Sequence, residues 1–179
     1  MVGHYTGHLK LCQAFFKLRL LRNVEILDVS SHLNRPGLVG MELSHNGYEN
    51  VDGLDHSLNA LNAVRDVNNS TSDDKGVYRN YILGRVAELG SIPVNDGEDE
   101  AMRIGRGPVS KTNFSESYDV ILMSGGFAPG KILPSAFAEL LRVLRPGGYM
   151  LWTMKDGYGA TDPDFALFDV KARRRKLTA

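Results

Sequence analysis

Short apolar runs that alternate with segments of helical period constrain this chain more than any other feature. Val24 to Val29, Asn50 to Leu54, Tyr118 to Met123 and Tyr149 to Met154 suit strands, with Tyr81-Ile82-Leu83 as a weaker one. Between them lie amphipathic stretches. His8 to Arg22 repeats Leu11, Phe15 and Leu18, and Gly37 to His45 repeats Leu38, Val39 and Leu43 before Asn46-Gly47 closes it. Ser57 caps a segment to Val67 built on Leu58, Leu61 and Val64, and Pro134 to Leu144 carries Phe137, Leu140, Leu141 and Leu144. Arg145-Pro146-Gly147-Gly148 then turns the chain into the last strand. Strands separated by helices predict an α/β fold of right-handed βαβ units, with a parallel sheet covered on both faces.

Composition narrows the function classes. A chain of 179 residues is long enough for one domain and a proper core. Lysine plus arginine and aspartate plus glutamate balance at 21 each, which argues against a dedicated nucleic-acid binder. The lone Cys12 excludes an internal disulfide and a cysteine-rich zinc site, fits a reducing compartment and reads as a small buried hydrophobe. No stretch has the roughly 18 apolar residues of a membrane span. The first acidic residue is Glu25, so the start is basic; with no serine in it, a helix packed on the domain is expected over a mitochondrial leader.

The expected organisation is an amphipathic helix within residues 1–23, a domain over 24–160 and a basic tail over 161–179. Periodicity fails between Arg85 and Ser117, read as a mobile surface insertion at about 85–117. In the tail, Lys171 to Lys176 holds five basic residues out of six, read as a solvated terminus or as a nuclear-localisation patch. The expected compartment is the cytoplasm, with the nucleus as the alternative.

Open parallel sheets bind ligands beyond the carboxyl ends of their strands, where strand order reverses. That singles out the ends at Val29, Asp55, Leu83 and Met123. Asp55 can accept both hydroxyls of a ribose; the alternative is a cap for the following helix. Ser57 can supply that cap and leave Asp55 for the ribose. Ser124-Gly125-Gly126-Phe127 comes after the strongest strand, with glycines that admit close backbone approach and an aromatic ring able to stack on a planar group. The alternative is a plain turn. Trp152 reads as core.

Three blocks, Ile26-Leu27-Asp28-Val29, Gly37-Leu38-Val39-Gly40 and Gly47 to Asp55, resemble the opening of the class I S-adenosylmethionine-dependent methyltransferases. Leu140 to Tyr149 is similar to the stretch before that family's fifth strand, Phe127-Ala128-Pro129-Gly130 to the segment after its fourth strand, and Gly3 to His8 to the segment ahead of its first helix. Within the class, the closer resemblance is to the methyltransferase-like proteins of the Williams–Beuren syndrome region and their animal relatives. The blocks stand in family order from Gly3 to about Lys155. The resemblance implies a Rossmann-like, mainly parallel sheet and S-adenosylmethionine as cofactor. It implies cofactor contacts from Asp28, Ser30, Gly37, Asp55, His56 and Ser124. Asp28 would serve the cofactor's amino-acid end, Asp55 the ribose, and His56 the adenine side.

The sequence departs from that pattern in places. The family's three closely spaced glycines are replaced by Ser30-Ser31-His32-Leu33-Asn34-Arg35-Pro36, with only Gly37 retained. The family's Gly-Asp after the third strand is Gly84-Arg85, whose arginine donates hydrogen bonds and accepts none. The terminal antiparallel strands are expected to be missing. Weak or absent cofactor affinity is the consequence. Two readings stand: a methyltransferase with an unknown acceptor, and a noncatalytic remnant that binds a protein partner at an open sheet edge. A nicotinamide oxidoreductase is the poorer fit, since no G-x-G-x-x-G comes after the first strand. Tyr5 and His8 stand ahead of the first helix, within reach of an acceptor; for them and for His4, His32 and His45 a surface or structural role is the default. No catalytic residue and no metal ligand is identified.

Overall fold

The computed structural model describes residues 6–29, 37–69, 77–87, 89–92, 116–127, 132 and 134–154. The chain runs α1 (Gly7–Lys17), β1 (Ile26–Val29), α2 (Leu38–His45), β2 (Val51–Asp55), α3 (Leu58–Asn69), β3 (Asn80–Leu83), β4 (Tyr118–Phe127), a 3-10 turn (Pro134–Ala136), α4 (Phe137–Val143) and β5 (Leu144–Met154). Among these residues the five strands form one sheet in the order β3-β2-β1-β4-β5, and every neighbouring pair is parallel. Strand order reverses between β1 and β4, which makes their carboxyl ends the switch point of the sheet.

Alternation along the strands sorts the core into two layers. On one face Ile26, Val51, Val120 and Leu122 meet Leu11, Cys12 and Phe15 of α1, Val39 and Leu43 of α2, and Leu61 and Val64 of α3. On the other, Leu27, Val29, Leu54 and Ile121 meet Phe137, Leu140 and Val143 of α4. A strand covered on both faces has no solvent side, so β1 buries all four residues, including the ionisable Asp28.

Several elements differ from the sequence expectation. α1 ends at Lys17, because Arg19 adopts a left-handed φ of +52° and breaks the helix before Arg22. β4 continues through Ser124-Gly125-Gly126 to Phe127, in place of the expected loop. There the register to β5 slips, and the Gly125 amide donates to the Thr153 hydroxyl at 3.0 Å. β5 starts at Leu144 and carries the expected turn as an irregularity in its pairing, with Gly147 at φ +79°. A side chain on Gly148 would strike the Asp119 carbonyl at 2.7 Å, so this irregularity needs glycine. Trp152 is not core: it is 39% exposed on the outer strand. The entry into the 85–117 segment is anchored, with Val86 and Ile92 buried. The rest of that segment (93–115), Ser30 and the loop to Pro36, Tyr5, and the basic tail lie outside the described residues.

Polar groups tie the strands together near their amino ends. Arg79 donates to both Asp52 oxygens, at 2.9 and 2.8 Å, and reaches Glu25 at 2.7 Å. Asn80 and Tyr118 also donate to Asp52, at 2.8 and 3.0 Å. Thus β2, β3 and β4 meet at one buried carboxylate, and Arg79 links it to Glu25 ahead of β1. A second buried acid, Glu139 on α4, accepts from the Gly90 and Ile92 amides at 2.7 Å each and from Arg142 at 2.7 Å. Burial pushes the Glu139 carboxyl up, but Arg142 and the two amides outweigh it and hold it below the ordinary value.

Both acids can be tested by substitution. Asp52→Ala leaves three donors without their shared acceptor, and urea denaturation is expected to show a loss on the order of 3 kcal/mol. Glu139 has its carboxyl lowered on folding, so its contribution is present above the ordinary glutamate value and lost as pH falls from there through the lowered folded value. Glu139→Gln is therefore expected to melt lower than wild type at pH 7, with the gap narrowing below about pH 4.

Candidate functional site

The candidate site lies at the carboxyl ends of β1 and β2, on the face covered by α1, α2 and α3. Asp28 is the third residue of β1, in register with Gly53 of β2 and Leu122 of β4. It is 1% exposed. A buried carboxylate needs donors. Among the described residues Asp28 has two: the Gly40 amide of α2 and the Tyr78 hydroxyl, the latter at 2.5 Å. Burial pushes its carboxyl up, the Tyr78 hydroxyl draws it down, the Asp55 charge raises it and the Gly40 amide lowers it, leaving it at about 7. The group is poised to change charge near neutrality.

Tyr78 is not legible in the sequence as a site residue. It precedes β3, is 3% exposed, and its ring fills the space where Gly40 and Gly53 have no side chain. A Cβ on Gly53 would lie 2.6 Å from the Tyr78 ring, and one on Gly40 would also collide with it. Tyr81 packs edge-on against the same ring, centroids 5.5 Å apart. The one available signal is a glycine inside the second strand, which marks a close approach by another group.

Asp55 closes β2, is 1% exposed, and has its Oδ1 accepting the Ser57 amide at 2.8 Å. Its own carbonyl accepts from the Gly84 amide at 2.9 Å, which ties the end of β3 to it. The Ser57 hydroxyl accepts from Ala60 at 3.3 Å and caps α3, as expected, but the cap does not leave Asp55 without a tie. His56 is exposed, its Nδ1 3.4 Å from Asp55 Oδ1. Arg85 is exposed beyond β3. Gly37 precedes α2 at φ +78°, and a side chain there would meet Val64 at 2.8 Å. Ser124 is buried within β4, in register with Thr153. Asp28, Asp55 and His56 thus share one end of the sheet.

Phe127 does not offer a stacking surface. It is 1% exposed and sandwiched: Phe137 stacks on it at 5.0 Å and Trp152 meets it edge-on at 5.9 Å. Cys12 is buried, and its thiol is pushed up to about 12 by burial and by the Asp28 and Glu42 charges. Among the described residues, no group of three or more histidine, cysteine, aspartate or glutamate side chains could hold a metal ion. None of the described helices is long and apolar enough to cross a membrane.

No protein-family model matches the sequence, and no curated protein matches it either. Solved structures do match in fold. A protein of Galdieria sulphuraria named as a sarcosine dimethylglycine methyltransferase superposes with a TM-score of 0.53 at 18% identity, over 82% of this chain and 46% of that one. A protein of Methanococcus maripaludis named as an S-adenosyl-L-methionine-dependent methyltransferase superposes with a TM-score of 0.52 at 16% identity, over 93% of this chain and 69% of that one. The chain therefore has the Rossmann-like α/β fold of these methyltransferases, and it spans under half the length of the first.

Gly53→Ala tests the packing beneath the site. The added methyl must displace the Tyr78 ring, which has Gly40 on its other contact. A loss of about 1–3 kcal/mol in chemical denaturation is expected.

Proposed function

We propose that the chain is an S-adenosylmethionine-dependent methyltransferase-like protein whose methyl acceptor is unidentified. The single observation that carries this reading is the pair of buried carboxylates, Asp28 and Asp55, at the carboxyl ends of adjacent strands in a methyltransferase-type sheet. The side chains present fit the cofactor's chemistry. A carboxylate at Asp28 suits an ammonium group, one at Asp55 suits ribose hydroxyls, and the exposed His56 ring suits the edge of an adenine. Ser30, Gly37 and Ser124 complete the proposed contacts. The cofactor supplies an electrophilic methyl group on sulfonium. The protein's part is to hold cofactor and acceptor close and in line. A general base is needed only for an acceptor that must first lose a proton. The resemblance to the methyltransferase-like proteins of the Williams–Beuren syndrome region supports this reading. We place the protein in the cytoplasm or, through Lys171 to Lys176, the nucleus.

A second reading is favoured by the outer strand. Among the described residues β5 pairs only with β4, and Tyr149, Trp152 and Met154 are 45%, 39% and 40% exposed. An exposed apolar edge of this length invites an added strand. On that reading the fold serves as a noncatalytic scaffold that binds an extended segment of a protein partner.

Calorimetric titration with S-adenosylmethionine and S-adenosylhomocysteine separates the two. Binding in the micromolar range, weakened at least tenfold by Asp55→Ala, is the expected outcome for the methyltransferase reading. A silent titration on a protein that melts cooperatively would favour the scaffold.

A further inference from the structure

The Tyr78 hydroxyl has a demanding position. Its ring is clamped by Gly40 of α2 and Gly53 of β2, and both glycines are required for it to fit. Its oxygen meets Asp28 on β1, fifty residues away in sequence. One side chain outside the sheet therefore joins two strands and a helix at the carboxylate nearest the switch point. Close packing alone would be met by phenylalanine; the hydroxyl adds a donor to a buried acid.

We infer that Tyr78 is a positioning residue for Asp28: its hydroxyl holds one carboxylate oxygen so that the buried group keeps its orientation and its negative charge for an ammonium-bearing ligand. The inference rests on the cofactor reading above for the identity of that ligand, and on the contact itself for the role of Tyr78. The groups facing Asp28 fix the direction of the effect. From α1 comes Cys12, a neutral thiol at neutral pH. From α2 comes the Gly40 amide, and from β2 the Asp55 carboxylate. β4 sets the apolar Leu122 beside it. Burial and Asp55 thus drive Asp28 toward the neutral acid, opposed by one amide and one phenol. Removing the phenol hydroxyl deletes the side-chain member of that opposition. Asp28 then takes up its proton at higher pH and loses affinity for a cation over the range where wild type still binds.

The test uses Tyr78→Phe in the full chain, with Asp28→Asn to assign the carboxyl resonance. Carbon-13 NMR titration without ligand is expected to find the Asp28 midpoint near 7 in wild type and about one unit higher in Tyr78→Phe, a tenfold change in proton affinity. Calorimetry with S-adenosylhomocysteine between pH 5.5 and 9 is expected to show wild-type affinity falling as pH drops through about 7, the same fall displaced upward in Tyr78→Phe, and no such fall in Asp28→Asn. An unchanged Asp28 midpoint overturns the inference. So does a displaced midpoint with an undisplaced binding profile. If wild type binds no S-adenosylhomocysteine at any pH, the cofactor reading fails, and the NMR titration alone decides what Tyr78 does to Asp28. Should Tyr78→Phe melt without cooperativity, 3-fluorotyrosine at position 78 keeps the ring and strengthens the donor; the Asp28 midpoint must then fall, and a fixed midpoint refutes the inference.

Discussion

A carboxylate in the middle of a sheet covered on both faces must be supplied with hydrogen-bond donors by the protein itself, and much of the architecture at the carboxyl end of this sheet stems from that need. Asp28 sits in β1, between β2 and β4, where water has little access. Its donors come from two elements distant in sequence: the Gly40 amide and the Tyr78 hydroxyl. Bringing the tyrosine in requires that neither Gly40 nor Gly53 carry a side chain. One buried charge thus dictates the residue type at three other positions.

The other polar network has a different character. Asp52 gathers donors from Arg79, Asn80 and Tyr118 near the amino ends of the strands, away from the switch point. Its donors outnumber those of Asp28 among the described residues and include a bidentate guanidinium, whose two parallel hydrogen bonds fix the carboxylate's orientation. Such a network sets strand positions. Asp28, with one amide, one phenol and a neighbouring carboxylate, is held near the point of protonation. A stable clamp at one end and a titratable acid at the other is the division expected of a sheet that binds ligands at its carboxyl edge.

The strands and helices are legible in the sequence because period and turn chemistry agree with the fold. The runs at Val24, Asn50 and Tyr118 correspond to β1, β2 and β4, and the stripes of Leu11 and Phe15, or Leu61 and Val64, face the core. Errors fall where local pattern and tertiary pairing compete. Ser124-Gly125-Gly126 reads as a glycine loop open to a ligand beyond the strand, yet pairing with β5 draws it into the strand with a slip of register. Phe127 reads as a ligand platform, yet Phe137 and Trp152 cover its ring. Trp152 reads as core, yet β5 is the outer strand among the described residues, and the indole stays partly exposed there.

The sequence by itself determined that this is a parallel α/β sheet with acids at Asp28 and Asp55 near strand ends, because hydrophobic period and chain direction are local properties. It could not reveal that Asp28 titrates near neutrality or that Tyr78 is its partner. Those depend on which side chain fills the gap between Gly40 and Gly53. That choice is made by contacts across fifty residues of sequence, which only the packed tertiary structure brings within hydrogen-bonding distance.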